Sequence, residues 1–383
     1  MPHSQNYVRL PAMTPGTRRV LTVHRFGTPG ARPKAYLQAA IHANELPGAM
    51  ALHHLMPMLA EADRRRRVHG EIVVVPAVNP IGLSQLVGNE HLGRYDFLGR
   101  DNFNRNWPEL SAAVAERVGA RLGADAAKNV ALIRRAALAA LAALRPANEL
   151  QAMRIAAMTL AADADVVLDL HCDAQAALHL FISRSDWPGP ARVLAADLGA
   201  EATLYNDPYP ETTTFSGVNG ALWPRLAARF SGARVPLACL SATVEYRSRH
   251  DVSDALGAAD ARNLFRFLVR RGVIRGRAGP LPRLRAQATP IGGMDVGYAP
   301  RTGILVYRAS AGDRVRRGAT VCEVIDPLDP RGARARTPIR ARADGVLFSR
   351  KPAGRLAWPG MVVYRIAGPR LLAHRRGLSG LDD

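Results

Sequence analysis

Short apolar segments alternate with segments of helical periodicity over most of the chain, and this alternation restricts the fold more than any other feature. Residues 35–41 (AYLQAAI) and 71–78 (EIVVVPAV) have the character of buried strands, and residues 47–59 between them have helical spacing. Residues 166–170 (VVLDL) and 238–245 (ACLSATVE) are two further apolar strands. Strands that alternate with helices predict an α/β domain whose largely parallel sheet is flanked by helices.

A change of composition near residue 275 separates this region from the rest of the chain. The segment 272–290 is rich in glycine, proline and arginine, as domain boundaries are, and it follows a predicted helix that Asp251 or Ser253 would cap. Beyond this segment, strands and glycine turns replace helical periodicity. We therefore expect one domain over residues 1–275 and a second, all-β domain over residues 286–383.

The C-terminal part contains an internal repeat. A shift of 42 residues superposes three glycines on three others, so that Gly303, Gly312 and Gly318 fall on Gly345, Gly354 and Gly360. Two such β-hairpin units, related by a pseudo-two-fold axis, would form a small barrel-like domain. Its turns resemble those of biotinyl/lipoyl carrier domains, which present a lysine between their halves. Residues 326–341 contain no lysine, and Lys351 lies inside the second unit, so we expect a carrier-like domain without a cofactor-attachment lysine.

Two histidines and a glutamate follow predicted strands. His42 and Glu45 stand three residues apart just after strand 35–41, and His171 follows strand 166–170. Sheets of α/β proteins place ligand sites at the carboxyl ends of their strands. Two imidazoles, one carboxylate and an open fourth position are typical of hydrolytic zinc sites, so the pattern indicates one Zn²⁺ per chain. The HxxE spacing alone is also common without a metal, so this interpretation depends on the motifs that accompany it.

Two further segments place polar side chains in a loop and at a strand end. Residues 101–108 (DNFNRNWP) set the Asn104 amide beside the Arg105 guanidinium, and Glu245 ends strand 238–245. A guanidinium offers a planar fork that can bind a carboxylate through two hydrogen bonds. A carboxylate within hydrogen-bond reach of an activated water molecule can act as a general base.

Together these motifs resemble the zinc carboxypeptidase-like superfamily, and within it the succinylglutamate desuccinylase/aspartoacylase family. The resemblance covers about residues 30–275. It implies a zinc-dependent catalytic domain with a mixed sheet flanked by helices, followed by a small β domain. It also implies that His42, Glu45 and His171 are the zinc ligands. Four motifs in the order of the family make the resemblance specific.

The resemblance implies roles for three other residues. Glu245 would be the general base that takes a proton from the zinc-bound water and returns it to the leaving amine. Arg105 would act in catalysis and in substrate binding, where Asn104 adds an orienting amide. We therefore expect the catalytic residues to be Glu245 and Arg105, and the substrate-binding residues to be Asn104 and Arg105.

The chain departs from the family at one position and leaves another role open. Asn102 stands where the family has an aspartate, and we expect this change to affect hydrogen bonding in the loop rather than catalysis. The family also uses a further arginine to polarise the scissile carbonyl group. Arg94, Arg100 and Arg247 are the alternatives for that role.

We predict a hydrolase that cleaves the amide bond of a small N-acyl amino acid or N-acyl amine. A metallocarboxypeptidase acting on peptides is the alternative enzyme, because both reactions break an amide beside a carboxylate. A β domain packed near the mouth of the site would narrow the entrance and favour the small substrate. A non-enzymatic basic binding protein is the alternative from another class, since the formal net charge is +20.

The basic charge does not by itself indicate a nucleic-acid partner. Lysine and arginine total 52 against 32 acidic residues, but only Lys34, Lys128 and Lys351 are lysines, and the arginines are spread along the whole sequence. Nucleic-acid-binding surfaces cluster such charge, so we expect no specific nucleic acid. Three widely spaced cysteines suit a reducing compartment, and we identify neither an apolar leader nor an apolar run of membrane length. These features predict a cytoplasmic protein without a membrane partner, and they leave open whether it forms a homo-oligomer.

Overall fold

The computed structural model describes residues 3–206 and 213–375 of the chain. Its strands, in chain order, are β1 (Ser4–Arg9), β2 (Val20–Gly27), β3 (Lys34–Ala39), β4 (Glu71–Val75), β5 (Leu86–Val87), β6 (Glu90–His91), β7 (Val166–Asp173), β8 (Gln175–Ala176), β9 (His179–Ser183), β10 (Ala202–Asn206), β11 (Leu240–Ser248), β12 (Thr289–Pro290), β13 (Met294–Tyr298), β14 (Gly303–Tyr307), β15 (Arg314–Val315), β16 (Thr320–Ile325), β17 (Arg336–Arg340), β18 (Gly345–Arg350), β19 (Leu356–Ala357) and β20 (Val362–Ala367). Its α-helices are α1 (Pro47–Arg64), α2 (Pro80–Leu83), α3 (Ser111–Val118), α4 (Ala126–Ala143), α5 (Glu149–Ala161), α6 (Gly189–Leu198), α7 (Phe215–Arg229) and α8 (Asp254–Arg270).

A mixed sheet runs through the larger part of the molecule in the order β1-β2-β4-β3-β7-β11-β9-β10-β12. Its central strands β4, β3, β7 and β11 are parallel, whereas β2 and β9 pair antiparallel with β4 and β11. Side chains alternate between two cores. Tyr36 packs on the face covered by α3, α4, α5 and α7, and Leu37 packs on the face covered by α1, α6 and α8. The predicted α/β fold, a mixed sheet flanked by helices, is confirmed.

The turn after β3 carries His42 and Glu45 away from the sheet at its carboxyl edge. The strand ends at Ala39, earlier than predicted, because Ala40 has a φ of 59°, a left-handed conformation that a strand does not accommodate. The Asn79 side chain then fixes the turn by donating to the Ile41 carbonyl oxygen at 2.6 Å.

A glycine allows the start of α1 to approach the end of β7. Pro47 is the first residue of α1, where its fixed φ suits a helix and its missing N–H costs no hydrogen bond. A Cβ atom at the next residue, Gly48, would lie 2.6 Å from the Leu170 Cβ. The close approach therefore depends on glycine, and it places Glu45 beside the residue that follows Leu170, which is His171.

The strands β7 and β11 continue beyond their predicted ends. Their parallel pairing extends from Leu240↔Val166 to Glu245↔His171 and resumes at Ser248↔Asp173 after an irregularity. His171 therefore lies within a strand rather than after it, and Glu245 lies inside its strand rather than at its end. The two residues are side by side on neighbouring strands. The backbone hydrogen bonds of the ladder fix the spacing of these two side chains.

From β12 to residue 375 the described chain contains strands and short 3₁₀ turns but no α-helix, and it forms two antiparallel sheets, β13-β20-β18-β15 and β17-β16-β14-β19. The shift of 42 residues maps β14, β15 and β16 onto β18, β19 and β20. Gly303 of β14 pairs with Ala357 of β19. The equivalent of Gly303 in the second unit, Gly345, pairs with Val315, which is the equivalent of Ala357 in the first unit. The repeat therefore extends to the strand pairing. Residues 376–383 of the predicted β domain lie outside the described residues.

These C-terminal sheets contact the main sheet just beyond the end of β7. β18 pairs antiparallel with β8, and the Ala177 N–H donates to the Phe348 carbonyl oxygen at 2.9 Å. The C-terminal strands thus lie next to the carboxyl edge of the main sheet, where His171 and Glu245 lie. Among the described helices, none combines the length and the apolar character needed to cross a bilayer.

Candidate metal centre and active-site cavity

The three residues predicted as metal ligands come together at the carboxyl edge of the sheet. His42 and Glu45 belong to the turn between β3 and α1, and His171 belongs to β7. Their ligand atoms all lie within 4.8 Å of one another, and all three residues are buried. Glu45 lies between the imidazoles, with Oε1 3.0 Å from His42 Nδ1 and Oε2 2.9 Å from His171 Nδ1. Two imidazole nitrogens and a carboxylate form a donor set that could hold a divalent metal ion.

Hydrogen bonds on the far side of each imidazole fix which nitrogen faces Glu45. Asn102 Oδ1 lies 2.9 Å from His42 Nε2 and accepts the Asn104 backbone N–H at 2.9 Å. Since that atom accepts an N–H, it is the amide oxygen, and His42 Nε2 must be the donor. His42 Nδ1 therefore carries the lone pair that faces the donor set.

His171 is oriented in the same way by a buried carboxylate. Its Nε2 donates to Asp169 Oδ2 at 2.8 Å, and Gln38 Nε2 donates to the other oxygen of Asp169 at 3.1 Å. Asp169 therefore orients His171 through the ring nitrogen that points away from Glu45. Asp173 instead accepts from Ser349 Oγ and lies 3.7 Å from the Arg365 guanidinium, so it joins β7 to the C-terminal strands.

The donor set is electrostatically coupled. Burial alone would raise the pKa of Glu45, but His42 and His171 lower it well below its usual range. Burial lowers the pKa of His42, and Glu45 offsets only part of this effect. For His171, burial also lowers the pKa, yet Asp169 and Glu45 together raise it well above the usual value. The Glu45 carboxylate is therefore ionised between a neutral His42 and a His171 that holds a proton, and a bound cation would take the place of that proton.

Glu245 supplies a second carboxyl group next to this donor set. It is the strand neighbour of His171, and among the described residues its buried Oε2 has no hydrogen-bond partner. The pKa of Glu245 is raised to about 8, mainly by burial and also by the negative charges of Glu45 and Asp173, which together outweigh the lowering effect of His171 and Arg94. An unsatisfied buried carboxyl oxygen with a raised pKa is characteristic of a functional site.

The loop that carries Asn104 and Arg105 closes one side of the site. Asn104 Oδ1 accepts the Phe215 backbone N–H at 2.9 Å, and its Nδ2 lies 3.3 Å from His171 Nε2. Arg105 Nη1 donates to the Asn104 carbonyl oxygen at 2.9 Å. All six predicted site residues line one cavity of about 580 Å³: His42, Glu45, Asn104, Arg105, His171 and Glu245.

Of the three arginines that the sequence left open for the further role, one lies beside the donor set. The Ala43 N–H donates to the Gly93 carbonyl oxygen at 2.8 Å and brings the following loop to the donor set. Arg94 Nη1 consequently lies 3.2 Å from Glu45 Oε1 and lines the cavity. Arg247 instead pairs with Asp260 of α8, and Arg100 is exposed. Sequence spacing did not distinguish Arg94 from the other two arginines, because the position of Arg94 depends on a backbone contact between two loops.

Sequence reasoning also missed the residues that the C-terminal strands contribute. Lys351, Arg355, Trp358 and Arg365 line the same cavity as the donor set. In the described part of the cavity wall, the cationic side chains outnumber the acidic ones. The cationic residues are Arg94, Arg105, Arg249, Lys351, Arg355 and Arg365, and the acidic residues are Glu45, Asp173 and Glu245. The interior is thus suited to an anionic ligand.

The fold and the donor set define an α/β protein with a candidate metal site at the strand ends, and comparisons with known proteins give its family. The family model described as the succinylglutamate desuccinylase/aspartoacylase catalytic domain matches residues 31–224, slightly more than half of the chain. The chain therefore belongs to the succinylglutamate desuccinylase/aspartoacylase family, whose members are hydrolytic enzymes. The predicted family is confirmed.

Solved structures of similar fold include two family proteins from Shewanella. The one from Shewanella frigidimarina NCIMB 400 has a TM-score of 0.83 at 21% identity and covers 96% of this chain and 97% of its own. The one from Shewanella amazonensis SB2B has a TM-score of 0.82 at 22% identity, with 95% and 98% covered. The product-bound ectoine utilization protein EutE (DoeB) from Ruegeria pomeroyi has a TM-score of 0.65 at 19% identity, with 96% and 95% covered. At these identities the likeness concerns the fold. No curated protein sequence matches the chain.

Proposed function

We propose that this protein is a zinc-dependent amidohydrolase that removes the acyl group from a small N-acyl amino acid or N-acyl amine. The observation that carries this proposal is the position of the unpartnered Glu245 Oε2 in the same cavity as the buried donor set of His42, Glu45 and His171. Membership of a family of desuccinylases and aspartoacylases supports the same reaction class.

The donor set is suited to one zinc ion. Zinc prefers nitrogen and carboxylate ligands and, in hydrolytic sites, takes three protein ligands. Both Nδ1 atoms face the Glu45 carboxylate, and a metal ion would displace the proton that His171 Nδ1 shares with Glu45. His42, Glu45 and His171 would therefore hold the ion without rearranging their outer hydrogen bonds. When bound, zinc supplies a Lewis acid that polarises a carbonyl group and acidifies water.

Glu245 would hold and transfer the proton in this reaction. Its Oε2 atom faces no other donor among the described residues, so it is available to accept a proton from water and to deliver it to the leaving amine. A carboxyl group whose burial raises its pKa to about 8 is matched to proton transfer near neutral pH.

The arginines and the amide would position the substrate. Arg105 lines the cavity and would bind the substrate carboxylate through its planar fork. Asn104 would orient the substrate beside His171, against which its Nδ2 lies. Arg94, whose guanidinium contacts Glu45, is the arginine that we assign to the carbonyl oxygen of the scissile bond.

The C-terminal strands favour a small substrate over a peptide. Lys351, Arg355 and Trp358 form one wall of the cavity, and its volume of about 580 Å³ is that of a typical small-molecule site. We propose that residues 286–383 form a separate carrier-like β domain without an attachment lysine, and that its role is to shape this cavity beside the catalytic domain of residues 1–275. The repeated strand pairing supports this carrier-like type.

A substrate screen on the purified, zinc-loaded protein tests the proposal. The panel holds N-acetyl and N-succinyl amino acids, N-acyl diamines and short peptides with a free carboxyl terminus. We expect release of a free amine from at least one N-acylated small molecule and no comparable cleavage of tripeptides or longer chains. Faster cleavage of peptides than of every N-acyl amino acid would contradict the proposal and favour the metallocarboxypeptidase.

The first prediction concerns the binding of the substrate carboxylate by Arg105. Arg105→Lys keeps the positive charge but loses the fork, so we expect kcat/KM for acidic substrates to fall about ten- to a hundredfold, roughly 1.4–2.7 kcal/mol. Arg64→Lys is the matched control, because Arg64 is exposed and pairs with Glu61 of the same helix, α1. Unchanged kinetics of Arg105→Lys on every acidic substrate would show that Arg105 holds the loop and does not bind a carboxylate.

A further inference from the structure

The two imidazoles of the donor set are supported by chemically different groups. His171 Nε2 donates to a carboxylate, Asp169, which is fully buried and accepts a second hydrogen bond from Gln38. His42 Nε2 donates to an amide, that of Asn102. The two hydrogen bonds are nearly equal in length, at 2.8 and 2.9 Å, and they differ in the charge of the acceptor.

The charge of the acceptor determines how strongly an imidazole donates to a metal. A carboxylate that accepts the outer N–H increases the electron density of the ring and strengthens the opposite nitrogen as a ligand. A neutral amide fixes the tautomer and the ring orientation but adds no negative charge. His171 is therefore the stronger donor and His42 the weaker one, although both rings direct Nδ1 at Glu45.

Asn102 is held firmly enough for this effect to be specific. Its side-chain oxygen also accepts the Asn104 N–H, and its carbonyl oxygen accepts Arg154 Nη2 at 3.2 Å. Tyr95 and Asn102 form an isolated antiparallel bridge. An aspartate at this position can keep both side-chain acceptor contacts, because carboxylate oxygens accept in the same geometry. Asn102 thus affects hydrogen bonding within its loop, as expected, and it also contacts His42, which was not expected.

We infer that Asn102 is a positioning residue that orients His42 through an uncharged hydrogen bond and thereby sets the metal affinity of the site below the value that two carboxylate-supported histidines would give. The inference rests on the proposed metal site. Asn102 would thus control the metal affinity. It would also leave the metal-loaded centre with a net charge one unit more positive than an aspartate at this position would give.

The test measures metal affinity directly. Zinc is titrated against a chromophoric chelator in the presence of wild-type protein and of three variants, Asn102→Asp, Asn102→Ala and Asp169→Asn. We expect Asn102→Asp to bind zinc roughly tenfold more tightly, and both Asn102→Ala and Asp169→Asn to bind it roughly ten- to a hundredfold more weakly. A merely structural role would weaken binding in both Asn102 variants, so the opposite signs for aspartate and alanine are diagnostic.

Asn106→Asp is the matched control. It adds the same charge to the same loop four residues further on, at an exposed position, and its φ of 55° is one that aspartate tolerates. We expect its zinc affinity to stay within about twofold of the wild type, since an exposed charge is screened. Zinc binding by Asn102→Asp that is no tighter than by Asn106→Asp would overturn the inference and leave the proposed function intact. Absence of zinc binding by the wild type would overturn both.

Discussion

Glu245→Gln is expected to lose turnover almost completely while it keeps its metal. Glutamine preserves the shape of the side chain but cannot accept a proton, and general acid–base catalysis contributes about 10²- to 10⁴-fold to rates. We therefore expect kcat to fall by a factor on the order of 10²–10⁴. The metal content should be unchanged, because Glu245 is outside the donor set of His42, Glu45 and His171.

The matched control for this prediction is Glu201→Gln. Glu201 is partly exposed and pairs with Arg285 away from the cavity, so the same chemical change should leave activity unaltered. Both variants should unfold at the temperature of the wild type. Full activity of Glu245→Gln would remove Glu245 from the reaction and move the search for the base to another residue of the cavity.

Substitution of a donor residue is expected to remove the metal and the activity together. In His171→Gln the imidazole is lost, and the remaining donors, His42 and Glu45, make a weak site. Structural zinc sites owe about 10–16 kcal/mol to four ligands, so the loss of one ligand should weaken zinc binding on the order of a hundredfold or more. Metal content is measured by atomic emission on protein purified without added zinc, and activity is assayed on the same sample.

His179 provides a control of similar burial. It lies on β9, cross-strand from Glu245, and its ring contacts the Ala177 carbonyl oxygen rather than the donor set. Burial lowers the pKa of His179 to about 4, so it is neutral like a ligand histidine but directed elsewhere. We expect His179→Gln to retain the wild-type metal content. Equal loss of metal in both variants would indicate a general effect on the fold and would contradict the assignment of His171.

The donor set could be predicted because the end of a strand is visible in the residues immediately around it. Two apolar segments followed by His42 and His171 are enough to place both residues at one edge of a parallel sheet. The positions of α1 and of Glu45 follow from the Pro47-Gly48 pair, which is also visible in the sequence. The internal repeat was detectable for the same reason, since equal glycine spacing reflects equal turns.

The remaining features of the site depend on contacts between segments distant in the chain. Arg94 reaches Glu45 through a backbone hydrogen bond between Ala43 and Gly93, which no residue pattern encodes. Lys351 and Trp358 line the cavity because β18 pairs with β8. The sequences of two such short strand segments do not specify that they pair with each other. Asn102 contacts Asn104 of its own loop, but its second contact is with His42, 60 residues away.

Zinc titration of the chelator-treated protein measures whether activity depends on one metal ion per chain. The protein is stripped of metal and its deacylase activity is followed, on the best substrate of the screen, as zinc is added back. We predict no activity without metal, a linear recovery, and saturation at one zinc per chain. Deacylase activity that persists in the stripped protein, or that fails to return when one equivalent of zinc is bound, would contradict the account of a His42–Glu45–His171 metal centre with Glu245 as its base.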